Sequence, residues 1–189
     1  MRKEPQLLNY LHENLIEAGC DEAGRGPLAG PVYAAAVILP EGLEIPGLDD
    51  SKKLSDKKRR ELFPIIKEQA IAYGIGFASH QEIDEINILQ ATYLAMERAI
   101  NQLEVKPELA LIDGNRAKDF GIPVETVVHG DSLSASIAAA SVLAKVTRDD
   151  YMLKMAEEYP GYDFEIHKGY GTKAHYAALT ELGASPIHR

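Results

Sequence analysis

Hydrophobic positions in this chain fall into two kinds of pattern, short runs that suit buried strands and longer stretches with helical spacing. Leu15 to Cys20 and Val32 to Leu39 are largely apolar runs separated by Gly24, Arg25, Gly26, Pro27, Gly30 and Pro31, which predicts strand, turn, strand. Ala70 to Ala78 predicts a third strand. The intervening segment from Ser51 to Gln69 starts polar and basic and then carries Leu62, Phe63, Ile65 and Ile66, so it reads as a short amphipathic helix broken near Pro64. From Glu82 to Leu103 apolar residues recur at roughly helical intervals. Leu109 to Ile112, ending on Asp113-Gly114, and Val124 to Val128 predict two further strands. Asp131 or Ser132 can cap a helix running to about Glu158, and Thr172 can cap another that runs to Leu182 and stops at Gly183. Three early strands followed by two in alternation with helices predict an α/β fold with a mixed five-stranded sheet.

Composition narrows the class. The chain has 189 residues, enough for about 70% of its unfolded surface to be buried around a single core. It contains no internal repeat and no linker rich in Pro, Gly or Ser, so one domain over residues 1–189 is expected. A hydrophobic share of 46% and a charged share of 26% exclude disordered and low-complexity classes. With Cys20 alone no internal disulfide can form. The longest apolar run, Val32 to Leu39, is far short of the roughly 20 residues of a spanning helix, and the first nineteen residues are mixed and charged. A cytoplasmic protein with no membrane association is expected. The balance of Lys+Arg 20 against Asp+Glu 29 gives a net charge of −9, which argues against diffuse polyanion binding.

Several acids occupy positions suited to chemistry. Asp21 and Glu22 close the first strand beside a glycine-rich turn, and neighbouring side chains of a regular strand face opposite ways, so both reach one site only if the strand ends or distorts there. Asp113 stands at the carboxyl end of a buried strand, where α/β folds place ligands, although Asp-Gly also makes an ordinary turn. On the helix predicted from Ser132, the residues Ser134, Ala138, Ser141, Lys145 and Asp149 form one stripe, which favours Asp149 over Asp150 as a functional acid. A Lys145–Asp149 pair of purely structural role fits that stripe equally well. Four such acids would make a site for hard divalent cations, and two cations about 4 Å apart can stabilise an in-line phosphoryl displacement. Other constellations are weaker. Gly24-x-Gly26-x-x-x-Gly30 is followed by a strand pattern where a dinucleotide site needs a helix, Cys20 reads as a buried hydrophobe, and His167 and His175 lack zinc-like partners.

Six motifs then occur in one order: Asp21-Glu22-Ala23-Gly24-Arg25-Gly26, Asp50-Ser51-Lys52-Lys53-Leu54, Leu111-Ile112-Asp113-Gly114, Ser136-Ile137-Ala138-Ala139-Ala140-Ser141, Lys145-Val146-Thr147-Arg148-Asp149 and Lys168-Gly169-Tyr170-Gly171-Thr172. On these the chain resembles bacterial ribonuclease HII, the type 2 ribonuclease H, from Gly19 to Arg189. Only twenty residues precede Asp21, which favours type HII over type HIII with its extra amino-terminal domain. The resemblance implies a ribonuclease H-like fold with a helical carboxyl-terminal portion. It implies Asp21, Glu22, Asp113 and Asp149 as catalytic acids holding two Mn²⁺ or Mg²⁺ ions. It implies hydrolysis of the RNA strand of RNA/DNA hybrids, and incision 5′ to ribonucleotides embedded in duplex DNA, leaving 3′-hydroxyl and 5′-phosphate ends. Substrate contacts fall by position to Gly24, Arg25, Gly26 and Tyr170, with Lys52 the favoured phosphate contact of the basic segment Lys52 to Arg60. Ser134, Ser136, Ser141 and Lys145 either support this site or hold a phosphate, or simply pack the helix. A role in primer removal and repair follows from the family, and a sliding-clamp partner is not readable from these residues. Another two-metal nuclease or resolvase, or a hybrid-binding module without catalysis, are the alternatives.

Overall fold

The computed structural model describes residues 7–189, so the first six residues of the stretch read for an export signal lie outside the described residues. Five strands, β1 (Glu17–Ala23), β2 (Val32–Ile38), β3 (Ala72–Ala78), β4 (Leu109–Asp113) and β5 (Val124–Val127), form one sheet in the order β3-β2-β1-β4-β5. The first three pair antiparallel, whereas β4 runs parallel to both β1 and β5. This is the mixed five-stranded sheet that the run pattern predicts. It also brings the carboxyl ends of β1 and β4 side by side at its centre.

Helices cover both faces because the central strands are apolar on both. Every residue of β2 is buried. Ala34 and Ala36 pack with Ala91, Ala95 and Ala99 of α2 (His80–Asn101), while Ala35 and Val37 pack with Leu62 and Ile66 of α1 (Asp56–Gln69) and with Ala139, Ala140 and Leu143 of α3 (Ala135–Glu158). A short helix α4 (Phe164–His167) and α5 (Lys173–Leu182) follow, the latter capped by Thr172 and ended by Gly183 as expected. Among the described residues no helix is long and apolar enough to cross a membrane.

Three local readings change. Helix α1 continues through Pro64 instead of breaking, because Pro64 is exposed and the Arg60 carbonyl that it deprives of a donor lies on the solvent side. Helix α2 starts earlier than expected, at a capping box of Ser79 and Glu82, and is interrupted at Asn87 (φ 71°). Helix α3 is capped by Ser134, whose hydroxyl accepts from the Ile137 N–H, and not by Asp131 or Ser132.

Close helix-to-sheet contact depends on glycine. A Cβ at Gly19 of β1 would sit 2.2 Å from the Ser136 carbonyl carbon and 2.3 Å from the Ile137 nitrogen, both backbone atoms of α3. Gly19→Ala should therefore destabilise the protein by about 3 kcal/mol, since helix and strand must separate to admit one methyl group. Chemical denaturation checks this, and a loss below about 0.5 kcal/mol would contradict the contact.

Candidate functional site

Asp21 lies in β1, Asp113 ends β4, and Asp131 lies in a 3-10 turn, Gly130–Ser132, that follows β5. Their nearest carboxylate oxygens all lie within 4.8 Å of one another. The β1–β4 register pairs Cys20 with Ile112, so the next residues along the two strands, Asp21 and Asp113, emerge together. Asp131 arrives from the third side. Its backbone N–H donates to Asp113 Oδ1 at 3.3 Å, an approach permitted by Gly130, where a Cβ would press on Ile137 at 2.6 Å and on that same oxygen at 3.3 Å.

Strand β1 does not distort at its acid pair. It stays in register with β2 through Asp21, Glu22 and Ala23, so the two side chains leave opposite faces of the sheet, although their carboxyl groups still come within reach of each other. Asp21 shares the α3 face with Gly19. Glu22 projects to the α2 face, into a cleft of about 380 Å³ that it lines with Arg25, Thr92, Met96, Asp113 and Arg116. Both acids still flank Asp113, which reaches them from beyond the end of the β1–β4 ladder. A second cleft, of about 470 Å³, opens on the other side of Asp113 between Lys52, Lys53, Asn115, His129 and Asp131.

Electrostatics mark this cluster as under-neutralised. The Asp21 carboxyl is pushed well above the ordinary carboxylate range by burial and then by Glu22, Asp113 and Asp131. Burial also raises Glu22, with Asp21 and Arg25 opposing the shift and Asp113 adding to it. Asp131 is raised to about 6 by burial and by the charges of Asp113 and Asp50. Lys52 answers from the rim: burial works against its charge, but Asp131, Asp50, Asp21 and Asp113 outweigh that and raise its pKa. The turn carrying Lys52 is docked on α3 by the Ser51 N–H, which donates to the Ser141 hydroxyl at 3.2 Å. Glu22 Oε2 is buried without a hydrogen-bond partner. Clustered, hard, poorly neutralised oxygens with one orphaned lone pair are the donor set that divalent cations of the Mg²⁺ type take.

The sign of these shifts gives a pH prediction. Acids that bind protons more tightly folded than unfolded contribute stability at low pH that is lost as pH rises through their folded values. Without divalent ions, melting temperature should fall as pH rises from about 4 to above 6 on account of Asp131, whose ordinary value is 3.8. Mn²⁺ or Mg²⁺ should offset that loss, so the ion-induced rise in melting temperature should be larger at pH 8 than at pH 5. Thermal melts in buffer with and without the ion measure this, and an equal rise at both pH values would contradict it.

Asp149 stands apart from the cluster. Its carboxylate accepts from Lys145 Nζ at 2.8 Å and belongs to no group of three potential metal ligands among the described residues. Helix α3 runs alongside β1 in the same direction, because Gly19 abuts Ser136 and Gly24 abuts Arg148. With rises of about 3.3 Å per strand residue and 1.5 Å per helix residue, Asp21 is level with about Ser141, and Asp149 lies roughly 12 Å farther along. The stripe on α3 is real, but its far end has passed the acids. Among the described residues it is Asp131, and not Asp149, whose carboxylate meets those of Asp21 and Asp113.

Asp149 instead borders the second constellation. Lys145 Nζ and Arg148 Cζ lie 5.8 and 5.7 Å from the Tyr170 ring centroid. Tyr170 is 38% exposed, and its ring lies 3.6 Å from where a Gly26 Cβ would be, so Gly26 and Tyr170 face each other across a van der Waals gap. Gly24 has φ +97°, and a Cβ there would lie 2.2 Å from Arg148 Nε. Buried Arg148 donates to the carbonyls of Pro31 (2.9 Å), Lys168 (2.7 Å) and Ala29 (2.9 Å), linking the glycine-rich loop to the segment before Tyr170.

The basic segment divides. Arg59 donates to the carbonyls of Ser51 and Leu54, and Arg60 pairs with Asp56 and Asp150, so both are committed to the protein. Lys52, Lys53 and Lys57 remain exposed.

The model of the family described as Ribonuclease HII matches residues 18–189. The chain belongs to the ribonuclease HII family. The Ribonuclease HII of Bacteroides thetaiotaomicron is 56% identical over 184 residues, which cover 97% of this chain and 92% of the relative. Among solved structures, ribonuclease H2 from Pyrococcus horikoshii superposes with a TM-score of 0.74 at 27% identity, covering 92% of each chain. The ribonuclease HII in a PCNA:RNase HII complex from Archaeoglobus fulgidus superposes with a TM-score of 0.77 at 26% identity, covering 93% of this chain and 94% of that one. The protein is thus a ribonuclease of the H type with the ribonuclease H-like fold of that family.

Proposed function

We propose that this family member is an endoribonuclease that hydrolyses the RNA strand of RNA/DNA hybrids and incises duplex DNA 5′ to an embedded ribonucleotide, leaving 5′-phosphate and 3′-hydroxyl ends. The observation that carries this reading is the convergence of the Asp21, Asp113 and Asp131 carboxylates, whose oxygens lie within 4.8 Å of one another. Asp21, Glu22, Asp113 and Asp131 are the residues that would hold two divalent ions, Mn²⁺ or Mg²⁺. When bound, such ions stabilise the charge that develops on the attacking and leaving oxygens of a phosphodiester. Lys52, on the rim of the same cleft, contacts a substrate phosphate, and its raised pKa keeps it charged. Gly24, Arg25 and Gly26 bring backbone close to the nucleotides at the junction, and Tyr170 stacks on the sugar beside the ribonucleotide, whose 2′-hydroxyl distinguishes RNA from DNA. Asp149 holds Lys145 beneath Tyr170 instead of holding an ion.

Membership of the ribonuclease HII family supports a role in removing RNA primers and misplaced ribonucleotides. The similar archaeal protein in complex with PCNA supports a sliding clamp as partner.

A labelled duplex with one ribonucleotide, a full RNA/DNA hybrid and an all-DNA duplex separate the readings. Ion-dependent cutting of the first two, 5′ to the ribonucleotide, is expected. Cutting of all-DNA would favour a nuclease or resolvase of other specificity, and binding without cutting a hybrid-binding module. Tyr170→Ala should lower kcat/KM on the single-ribonucleotide duplex by about tenfold to a hundredfold, in line with the energy of one stacked ring. An unchanged rate on that duplex would remove Tyr170 from recognition.

A further inference from the structure

The glycine-rich loop and Tyr170 are far apart in sequence, yet both are tied to one short segment, Ser185 to Arg189. The Arg189 guanidinium donates only to carbonyls of that loop: Nε to Gly30 (2.8 Å), Nη1 to Pro27 (2.8 Å) and Arg25 (3.3 Å), and Nη2 to Gly24 (2.6 Å) and Pro31 (3.2 Å). Its backbone N–H adds a bond to the Leu28 carbonyl at 2.9 Å, and the Ile187 carbonyl accepts from the Gly30 N–H at 2.9 Å. A guanidinium has five N–H donors and no acceptor, so with five carbonyls around it Arg189 has no donor left for a phosphate. Its contacts hold loop shape. Burial and the neighbouring Arg148 lower its pKa to about 10, which leaves it charged at neutral pH.

His188 carries the other half. The Tyr170 carbonyl can only accept, so His175 Nδ1, 2.8 Å away, carries the proton and its Nε2 is the acceptor. His188 Nε2, 2.7 Å from that nitrogen, is therefore the donor, and His188 Nδ1 accepts from the Ser185 N–H at 2.8 Å. The result is a directed chain from Ser185 through His188 and His175 to the backbone of Tyr170. His167 stacks on His175 at 4.2 Å and accepts the Gly169 N–H at 3.1 Å, which fixes the residue before Tyr170 as well. His175 is fully buried.

We propose that His188 and Arg189 are positioning residues that set the gap between the Gly24–Gly26 loop and Tyr170, and through that gap the preference for a ribonucleotide junction. The proposal rests on the recognition roles given above to the loop and Tyr170. Two adjacent side chains reach the two recognition elements separately, so their common backbone fixes one relative to the other. Neither residue touches the acid cluster, so the rate of chemistry on a continuous hybrid should depend on them little.

The test uses the whole protein, a single-ribonucleotide duplex and a continuous RNA/DNA hybrid, and reads the ratio of kcat/KM on the two together with the melting temperature. His188→Phe keeps the ring packing and loses the donor, and should lower the ratio about tenfold, the effect of one well-placed hydrogen bond. His188→Gln, whose side-chain amide can replace the Nε2 donor, should stay within about twofold of the parent, a difference smaller than one such bond. Arg189→Lys keeps the charge and loses the fork, and should lower the ratio even if His188→Phe does not fold. In a Tyr170→Ala background, His188→Phe should change the ratio no further. An unchanged ratio in Tyr170→Ala itself would overturn the recognition reading and the positioning role with it. A changed ratio there, but equal slowing of both substrates in His188→Phe and Arg189→Lys, would overturn the positioning role alone and leave a folding staple.

Discussion

Asp113→Asn should lower turnover by about a thousandfold or more while the fold remains intact. Asn retains an oxygen to accept the Asp131 N–H, so the local turn survives. What is lost is one negative charge from the centre of the cluster, the residue that links Asp21 and Glu22 on one side to Asp131 on the other. A thousandfold corresponds to about 4 kcal/mol of transition-state stabilisation, within the range expected when ion binding at such a site fails. In ion-free buffer the variant should melt at the same temperature as the parent or higher, because one repelling carboxylate is gone. Single-turnover cleavage of a labelled hybrid and a thermal melt check both halves. Near-parental rates would remove Asp113 from the reaction.

The second large effect is a contrast. Asp131→Asn should cost about a hundredfold to a thousandfold in rate, since Asp131 is one of the three acids whose oxygens meet within 4.8 Å. Asp149→Asn should cost less than about tenfold in rate and instead lower stability by about 1–3 kcal/mol, because it leaves Lys145 without its partner in a partly buried site. Parallel rate and denaturation measurements on the two variants decide between them. The opposite ranking of rates would restore Asp149 to the metal set and make Asp131 a turn residue.

The five strands were legible because period-two burial and unbroken apolar runs are local properties, and β2, buried on both faces, is the clearest case. The places of Asp21, Glu22 and Asp113 at strand ends were legible because such ends can be located from the same runs. Asp131 was not. It sits in a 3-10 turn entered through His129 in the left-handed region, and no periodicity announces such a turn. A signal is present in its place after the carboxyl end of a strand, where α/β folds bind ligands, but an Asp just before a helix fits a cap equally well. The stripe on α3 drew attention to Asp149 because spacing along a helix shows which residues share a face and says nothing about which stretch of that face lies opposite the acids. The continuity of α1 through Pro64 depended on which side of the helix meets solvent, a tertiary fact. Arg148 and Arg189 were missed for a different reason: their partners are backbone carbonyls, which leave no trace in side-chain identity.

The net charge of −9 also takes on a location. Part of it is concentrated in the clustered carboxylates of Asp21, Asp113 and Asp131, while Lys52, Lys53 and Lys57 lie exposed. Non-specific binding to duplexes should accordingly be weak and should decline with added salt.

Anomalous scattering from crystals of the protein loaded with Mn²⁺ tests the metal assignment most directly. Ion density in contact with the carboxylates of Asp21, Asp113 and Asp131, and none at Asp149, is the expected result. Density bound by Asp149, or none beside Asp21, would contradict it.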